Sequence, residues 1–443
     1  MTRNGKHLSY CILFTVLIIC LLTSTQVQAQ YDYIDISNPF LKKIPIAIPQ
    51  LGTGSGNQAE KEFARASTEL LSGSLEFTGY FKMLDRDAFL IDENSQWTAS
   101  GINFKNWTAI GAELLTTGSV SIQADIVEME LRLYDTFKER MIVGKRYKGW
   151  VEDQRKMIHR FCSDVIFFLT GNRGVFDSKL AFESKSDGKK EIFTCDFDGY
   201  SPKAFTNNKN INLSPAWSYD GQWIAYTSYI KGGPDLYIRH VKDKRGTVVA
   251  KKGINTTPAW VPGKFALAAT LSYEGDPEIY LLTGTGKIIK RLTKSYGIDT
   301  QPTWSPDGKK IAFVSDRAGS PQIYIMDIDS GYVERLTFYG NYNTSPAWSP
   351  KGDKIAYSAS NNGNFDIYVI KTDGTGLLQL TDNQGDDESP SWSPDGSMIA
   401  FSSTREGPSR IYVMTAFGTD QRRLLALPGE QTNPEWSGRV TNN

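Results

Sequence analysis

The chain has 443 residues, which is enough for two domains of ordinary size. Its 49 lysine and arginine residues balance 49 aspartate and glutamate residues, so the formal net charge is zero. A nucleic-acid-binding protein needs a concentrated basic surface, and no basic run is present, so the composition argues against nucleic acid as a partner.

The first 29 residues have the pattern of a cleavable secretion signal. Arg3 and Lys6 provide a basic start, residues 10–22 form an apolar run, and Ala29 is the small residue expected at a cleavage point. The apolar run is shorter than the ~20 residues that cross a bilayer as a helix. The sequence therefore predicts export, with residues 1–29 as the signal peptide and no direct membrane insertion.

Residues 30–174 mix helical and strand patterns and predict a small α/β or α+β domain. An apolar segment at 44–49 and an alternating apolar-polar stretch at 127–133 indicate strands. The spacing of apolar residues along 60–75 and 153–169 indicates two amphipathic helices.

A Pro-x-Trp tripeptide recurs six times in the second half of the chain. The tryptophans are Trp217, Trp260, Trp304, Trp348, Trp392 and Trp436, so the steps are 43, 44, 44, 44 and 44 residues. Each unit contains short strand patterns separated by polar turns, four strands to a unit, which is the content of one propeller blade. The repeat therefore predicts an all-β, six-bladed β-propeller over residues 175–437, followed by a short tail at 438–443. The regular spacing also predicts that the tryptophans pack in the core.

The phase of the repeat predicts how the propeller closes. Trp436 has no following Ile-Ala-Phe-type strand, whereas the first such strand, at Leu180, has no preceding Pro-x-Trp. We therefore expect the segment ending at Trp436 to complete the blade that begins at Leu180. Such closure removes the exposed sheet edges of an open ring.

The sequence offers little for catalysis or metal binding. After signal removal His159 and His240 remain, one within an apolar-striped helix and one after a blade strand, and both positions favour structural roles. Neither a Gly-x-Ser-x-Gly elbow nor zinc-type Cys/His spacing occurs. Cys162 and Cys195 occupy apolar positions, so we expect two buried free thiols. We predict no catalytic residue, no metal and no cofactor.

The remaining candidate is a binding surface at one end of the propeller. Polar residues stand three places before each proline of the repeat: Asn212, Asn255, Asp299, Asn343, Asp387 and Gln431. If the Pro-x-Trp strand is innermost, these side chains ring one mouth of the central channel. The loops at Asp316-Arg317 and Thr404-Arg405 should approach the same face. Solvated loops are polar in any case, which explains each single residue equally well. As a set they predict a partner-docking ring.

The order of these parts resembles the TolB family, the periplasmic components of the Tol-Pal system. A secretion signal, a domain of this length and the six-fold Pro-x-Trp-Ser-Pro-Asp-Gly repeat carry the resemblance, with further matches at 81–85 and 169–171. The resemblance covers essentially the whole mature chain. It implies a six-bladed propeller behind an amino-terminal α/β domain and a periplasmic location in a Gram-negative cell. It also implies a role in outer-membrane integrity, cell division and protein import.

The resemblance further implies partners. A Pal-like peptidoglycan-associated lipoprotein is expected at the propeller mouth, and a TolA-like inner-membrane protein at the mature amino terminus. The expected lipoprotein-facing residues are Asn255, Thr256, Thr257, Asp299, Thr300, Gln301, Asn343 and Asp387. The inner-membrane partner is expected at Tyr31, Asp32, Tyr33 and Ile34. That polar and aromatic segment could equally be a disordered terminus, fold back on the propeller, or add as a strand to a partner sheet.

A second class of function stays open at this point. It is a periplasmic propeller enzyme, or an accessory module, that acts on glycan or peptide substrates filtered through the channel. Propeller sites assemble from distant blades, so paired carboxylates need not be adjacent in the sequence. Asp299 and Asp387, two units apart, could face one another across the channel.

Overall fold

The computed structural model describes residues 42–89, 101–360 and 363–439. The predicted signal peptide, the segment from Tyr31 to Ile34 and residues 440–443 of the predicted tail lie outside this range. Within it, a small α/β domain precedes six four-stranded antiparallel sheets that form a β-propeller, as the repeat predicts. None of the helices in these three stretches combines the length and the apolar content that a membrane crossing requires.

The amino-terminal domain is a mixed sheet with helices packed against it. Its elements are β1 (Ile44–Ala47), β2 (Gly52–Thr53), α1 (Gln58–Phe77), β3 (Phe81–Met83), α2 (Phe104–Ala109), β4 (Leu114–Gln123), β5 (Ile126–Asp135), β6 (Arg140–Trp150) and α3 (Gln154–Thr170). The sheet order is β3-β1-β4-β5-β6, and the short β2 pairs with β4. Strand β1 is parallel to β3 and β4, whereas β4, β5 and β6 are antiparallel.

Local sequence explains the ends and the buried faces of these elements. Helix α1 begins where the Asn57 side chain accepts a hydrogen bond from the Glu60 N–H, an N-cap interaction. Helix α3 ends at Gly171, whose φ of 74° is the left-handed conformation that glycine adopts most easily. The buried side chains of α3 recur at helical spacing, and those of β5 alternate. The two predicted helices and the predicted strand at 127–133 are therefore confirmed.

Every blade has four strands, which we call inner, second, third and outer from the channel outwards. The strands are given for blades 1 to 5 in chain order and then for the closing blade. The inner strands are β10 (Asn212–Trp217), β14 (Asn255–Trp260), β18 (Asp299–Trp304), β22 (Tyr342–Trp348), β26 (Asp387–Trp392) and β30 (Glu430–Trp436). The second strands are β11 (Trp223–Ser228), β15 (Ala266–Leu271), β19 (Lys310–Ser315), β23 (Lys354–Ser360), β27 (Met398–Ser403) and β7 (Lys179–Ser186).

The third and outer strands complete each sheet on the side away from the channel. The third strands are β12 (Asp235–His240), β16 (Glu278–Thr283), β20 (Gln322–Asp327), β24 (Phe365–Lys371), β28 (Arg410–Thr415) and β8 (Lys189–Asp196). The outer strands are β13 (Gly246–Val249), β17 (Ile288–Arg291), β21 (Val333–Arg335), β25 (Leu378–Gln379), β29 (Arg422–Arg423) and β9 (Lys203–Ala204).

The ring closes as the repeat phase predicts. Strand β30 pairs with β7 in the closing blade, with Trp436 opposite Leu180. The buried carboxylate of Glu183 secures this joint, because it accepts hydrogen bonds from Thr432 Oγ1 at 2.9 Å and Asn433 Nδ2 at 2.6 Å. The same carboxylate also accepts the Ser214 N–H of blade 1 at 2.8 Å. The Glu183 side chain therefore links the carboxyl-terminal strand β30 both to β7 of its own blade and to blade 1.

The repeat tryptophans are buried between blades, which confirms their predicted role in core packing. The indole N–H groups of Trp260 and Trp304 each donate to a backbone carbonyl of the preceding blade's inner strand, at 3.1 Å in both cases. Trp392 makes the equivalent bond at 3.0 Å. Each of these tryptophans therefore joins two blades by packing and by a hydrogen bond.

The amino-terminal domain contacts the closing blade and blade 5. Arg155 of α3 forms an ion pair with Asp198 at 2.8 Å and lies over the Tyr200 ring. Arg422 of β29 donates to the Phe77 carbonyl at the end of α1, and Lys43 pairs with Asp420 at 2.7 Å. All the propeller partners in these contacts lie on or beside the turns between third and outer strands. The domain therefore covers part of one end of the propeller.

Replacement of Trp304 by alanine tests the contribution of these interblade contacts. We expect Trp304→Ala to lower the free energy of unfolding by about 3–5 kcal/mol, because it removes a buried ring and leaves a cavity between blades 2 and 3. Denaturant unfolding followed by circular dichroism measures the change. Tyr332→Ala is the matched control, since Tyr332 is 65% exposed and its loss should change stability by less than about 0.5 kcal/mol. Equal stability of Trp304→Ala and the wild type would contradict the assignment.

Candidate partner-binding site

The inner strands surround a central channel of about 750 Å³. Each inner strand starts at one end of the channel, which we call the open mouth, and finishes at the Trp-Ser-Pro-Asp-Gly-type turns of the other end, the turn mouth. The contacts with the amino-terminal domain are on the turn-mouth side, and Asn172 and Arg439 line the channel there. The open mouth lies on the opposite side and is formed by the loops before the repeat prolines.

A β-bulge in every inner strand shapes the channel wall. Proline lacks the N–H that a regular strand pair needs, and in blade 1 Ser214 and Pro215 together oppose one residue of β11. The residue before each proline has a positive φ, between 45° and 55°, in all six blades. These six residues line the channel: Ser214, Thr257, Gln301, Ser345, Ser389 and Asn433. The channel therefore has a polar ring that comes from the backbone geometry of the repeat.

The structure places four of the predicted docking residues inside the propeller wall. Asn255, Asp299, Asn343 and Asp387 have no exposed surface. Asn255 and Asn343 hydrogen-bond to the carbonyls of Lys251 and Tyr339, at 2.7 and 2.8 Å. These side chains stabilise the loops at the open mouth, and their burial corrects the expectation that they present polar groups to a partner.

The two aspartates of this set are held by arginines from the neighbouring loops. Asp299 Oδ2 pairs with Arg317 at 2.7 Å, and Asp387 Oδ2 pairs with Arg405 at 2.9 Å. The prediction that these arginine loops approach the same face is therefore confirmed. Each aspartate forms an ion pair within its own blade, so Asp299 and Asp387 do not form the carboxylate pair considered for an enzyme.

The other four predicted residues in the propeller are half-buried along the inner strands. Thr256 accepts a hydrogen bond from Thr227 Oγ1 at 2.9 Å, and Thr300 accepts one from Thr270 Oγ1 at 3.2 Å. Thr257 contacts Thr270 at 2.7 Å, and Gln301 Oε1 accepts the Ser345 N–H at 2.8 Å. These residues link neighbouring blades and contribute polar surface to the channel. Whether they contact a partner stays a prediction.

An arc of exposed apolar side chains at the open mouth was missed by sequence analysis. The residue six places before the repeat tryptophan is Ile211, Ile254, Ile298 or Tyr342 in blades 1 to 4, and these are 40%, 38%, 45% and 46% exposed. We call these four residues the apolar arc. Tyr296, in the loop before Ile298, adds a ring that is 97% exposed. The sequence signal that could have revealed the arc is an apolar residue directly before each residue of the predicted polar ring in blades 1 to 4. It recurs with the period of the repeat, in stretches that are otherwise polar.

The arc ends at blade 5, where the corresponding residues are acidic. Asp386 of blade 5 and Glu430 of the closing blade occupy the same position of the repeat. Asp386 Oδ1 accepts the Phe365 N–H at 3.0 Å, and Glu430 pairs with Lys185 at 3.0 Å. Glu388 lies two residues beyond Asp386, and its carboxylate has no hydrogen bond or ion pair among the described residues. The open mouth therefore has an apolar sector and an acidic sector.

Glu435 is a second unusual carboxylate, located inside the channel. The other blades have alanine, serine or threonine at the position before the repeat tryptophan. Glu435 is half-buried and lines the channel, and Ser391 Oγ donates to it at 3.3 Å. Burial raises the pKa of this carboxyl to about 7.

The described histidines and cysteines have structural surroundings. His159 packs against Phe176 and Phe197, and burial lowers its pKa to about 4. His240 Nδ1 lies 3.1 Å from an Asp243 carboxylate oxygen. Cys162 and Cys195 are buried free thiols, as expected. Across residues 42–89, 101–360 and 363–439, no three histidine, cysteine or acidic side chains group together as metal ligands would.

Comparison with known proteins matches both parts of the chain. Residues 168–440 match the family model described as TolB beta propeller domain, and residues 32–142 match the TolB amino-terminal domain. The Tol-Pal system protein TolB of Desulfosudis oleivorans is 59% identical over 286 residues, 64% of this chain and 65% of the relative. The protein TolB homolog of Chlorobaculum tepidum is 42% identical over 293 residues, 66% of this chain and 65% of the relative. The matched stretches thus span slightly less than two thirds of these relatives.

A solved structure extends the similarity to nearly the whole chain. The crystal structure of TolB from Acinetobacter baumannii superposes with a TM-score of 0.79 at 29% sequence identity. The superposition covers 90% of this chain and 97% of that chain. The likeness therefore includes both the α/β domain and the propeller.

The unusual carboxylate of Glu435 makes the stability of the propeller depend on pH. The native protein holds this proton more tightly than the unfolded chain, whose glutamate has its ordinary pKa of 4.5. The contribution of Glu435 to the free energy of unfolding therefore falls as the pH rises from about 4.5 to about 7. We expect Glu435→Gln to raise the free energy of unfolding by about 1–3 kcal/mol at pH 8, and by less than about 1 kcal/mol at pH 5.

Denaturant unfolding at the two pH values measures this difference. Glu430→Gln, on the same strand, is the matched control, because Glu430 is more exposed and its substitution should have a similar small effect at both pH values. If Glu435→Gln matches the wild type at pH 8 as well as at pH 5, the carboxylate is not desolvated in the channel.

Proposed function

Since the chain belongs to the TolB family of Tol-Pal system proteins, we propose that it binds a Pal-like peptidoglycan-associated lipoprotein at the open mouth of its propeller. The apolar arc is the observation that carries this proposal. Four blades expose an apolar side chain at the same repeat position, on the end that the amino-terminal domain leaves free. Several exposed apolar side chains on one face are typical of protein-binding sites.

The chemistry of the mouth favours a protein over a small substrate. The arc and Tyr296 offer broad hydrophobic contact, and aromatic residues of this kind are enriched at binding hot spots. The channel below is lined by the repeat prolines and tryptophans and by small polar side chains, and in the described part of the chain Glu435 and Arg439 are the charged residues of this lining. The names of the two relatives describe a Tol-Pal component and a TolB homolog, and name no enzymatic activity. In this proposal the protein acts by binding, with no covalent step.

The proposal places the protein in the periplasm of a Gram-negative cell. Residues 1–29 would direct export and be removed. A TolA-like inner-membrane protein would bind at Tyr31, Asp32, Tyr33 and Ile34, ahead of the first described strand at Ile44. A polar and aromatic segment of this kind could bind by adding a strand to a partner sheet. By binding both partners, the protein would contribute to outer-membrane integrity, cell division and protein import.

Removal of apolar side chains from the arc tests lipoprotein binding. We expect Ile254→Ser combined with Ile298→Ser to raise the Kd for the purified lipoprotein of the same organism about 10- to 100-fold, because each change removes apolar contact area. Both side chains are well exposed, so the melting temperature should stay within about 2 °C of the wild type. Isothermal titration calorimetry measures the affinity.

The control for this experiment lies in blade 2. Ile289, on outer strand β17, is 53% exposed and lies away from the mouth, so Ile289→Ser should leave the Kd unchanged. An unchanged Kd in the Ile254/Ile298 double variant would show that the open mouth is not the docking site. Charge reversal at Asp299 is a poor test. It would place a second cation beside the Arg317 guanidinium and disturb the fold.

Deletion of the amino-terminal segment tests the second partner separately. We expect a mature protein that lacks residues 30–36 to lose capture of the TolA-like protein and to keep the wild-type Kd for the lipoprotein. A pull-down with each purified partner gives both readouts. Tyr31→Ala with Tyr33→Ala, in a chain of full length, shows whether the side chains or only the length of the segment matter. Unchanged capture by the deletion variant would exclude this segment as the binding site.

A further inference from the structure

A second cavity at the open mouth, of about 590 Å³, joins the apolar sector to the acidic sector. Tyr342 and Phe365 form one part of its wall, with ring centroids 5.8 Å apart in an edge-to-face arrangement. Glu388 lines the same cavity from blade 5. Its remaining lining is small or neutral and polar, and includes the channel residues Gln301 and Asn433. Glu388 is the charged residue of this lining.

Glu388 breaks the six-fold pattern of the mouth. The residue four places before the repeat tryptophan is leucine in blade 1 and threonine in blades 2, 3, 4 and the closing blade. Ser402 Oγ donates to the Glu388 backbone carbonyl at 3.0 Å, while the carboxylate itself has no partner in the described part of the chain. Arg405, on the loop after the second strand of the same blade, is paired with Asp387. The Glu388 carboxylate is thus half-buried at the mouth, with neither a hydrogen-bond nor an ion-pair partner among the described residues.

The electrostatics of this carboxylate constrain what can cover it. Partial burial and the nearby charge of Asp386 raise the pKa of Glu388, which means that its charged form already lacks solvation and opposite charge. A protein surface that seals the mouth removes the remaining water. That step is costly for an unpaired carboxylate unless the surface supplies a cation. Aromatic rings beside the carboxylate add favourable contacts for such a cation.

We propose that the protein partner of the open mouth inserts a lysine or arginine side chain into this cavity, between Glu388 and the Tyr342–Phe365 pair. The apolar surface of the partner covers Ile211, Ile254 and Ile298 at the same time. This inference rests on the proposed docking function and specifies the chemistry of the partner surface. It also fixes the orientation of the partner, because a six-fold ring offers similar backbone contacts at six rotations and only one blade carries Glu388.

The surroundings of the cavity favour a protein side chain over a free cation. One carboxylate with neutral neighbours gives a free amine little affinity in water, because exposed ion pairs contribute little to binding. A metal ion such as calcium prefers six to eight oxygen ligands, many more than one carboxylate supplies. A protein that carries the lysine or arginine also contacts the adjoining apolar arc, and this contact adds affinity that a free cation lacks.

Neutralisation of Glu388 tests the inference. We expect Glu388→Gln to raise the Kd for the soluble domain of the lipoprotein about 10- to 100-fold at low salt and to weaken the salt dependence of binding. The carboxylate has no hydrogen bond or ion pair with the described residues, so the melting temperature should not fall. Glu430→Gln is the matched control at the same mouth, because Glu430 is already paired with Lys185 and its loss should change the Kd less than about 3-fold.

A double-mutant cycle identifies the partner group. Each lysine and arginine of the lipoprotein domain is replaced by alanine and measured against wild type and Glu388→Gln. We expect one replacement to weaken wild-type binding as much as Glu388→Gln does, and to have no further effect in the Glu388→Gln background. Additive effects for every lysine and arginine would overturn the inference.

The remaining outcomes separate this inference from the docking proposal. Loss of binding in the Ile254/Ile298 double variant, with a wild-type Kd for Glu388→Gln, would retain the docking site and overturn the cation pocket. Failure of the wild-type protein to bind the lipoprotein would overturn both. Binding of N-acetylarginine amide that depends on Glu388, with lipoprotein binding that does not, would identify a small-cation site and overturn the inference.

Discussion

The propeller depends on the contact that each repeat tryptophan makes with the blade before it. A single four-stranded sheet cannot bury both of its faces, so a blade is stable only when it packs between two others. In three blades the indole N–H also reaches back to a carbonyl of the preceding inner strand, as Trp304 does to Ala259. At the closing blade the acceptor is the Ser178 hydroxyl at 2.7 Å, which lies ahead of strand β7. The same tryptophan position that links consecutive blades therefore also helps to close the ring.

The proline two places before the tryptophan sets the shape of the channel. Because proline has no N–H, every inner strand is bulged there, and the preceding residue takes a left-handed backbone conformation. That conformation costs a non-glycine residue roughly 1–2 kcal/mol. Strain at a single site often indicates function. Here it occurs in all six blades, so it belongs to the architecture, and it explains why polar side chains such as Gln301 line the channel.

The period, the number of blades and the closure could be predicted from the sequence, because they follow from spacing and phase alone. Which polar side chains are buried in the wall and which face the channel could not be predicted. Asp299 and Gln301 are two residues apart in a loop of similar polarity, yet Asp299 is buried against Arg317 and Gln301 faces the channel. The bulge at Gln301 disturbs the alternation that would otherwise assign the two sides of a strand. The apolar arc was missed for a related reason, since a lone isoleucine or tyrosine in a polar stretch is unremarkable until the fold shows that three isoleucines and a tyrosine occupy the same position in four successive blades.

Specific recognition by a nearly symmetric ring requires departures from its repeat. Positions that keep the repeat, such as the tryptophans and the prolines two places before them, present the same groups in every blade and cannot fix the orientation of an asymmetric partner. The departures are concentrated in blade 5 and the closing blade, where Asp386, Glu388 and Glu435 replace apolar or neutral residues. These charges are tolerated because the inner-strand positions face a channel or a mouth rather than the interblade core. Substitutions that depart from the repeat therefore cost the fold least at the channel and the mouth, which is the surface where a partner could recognise them.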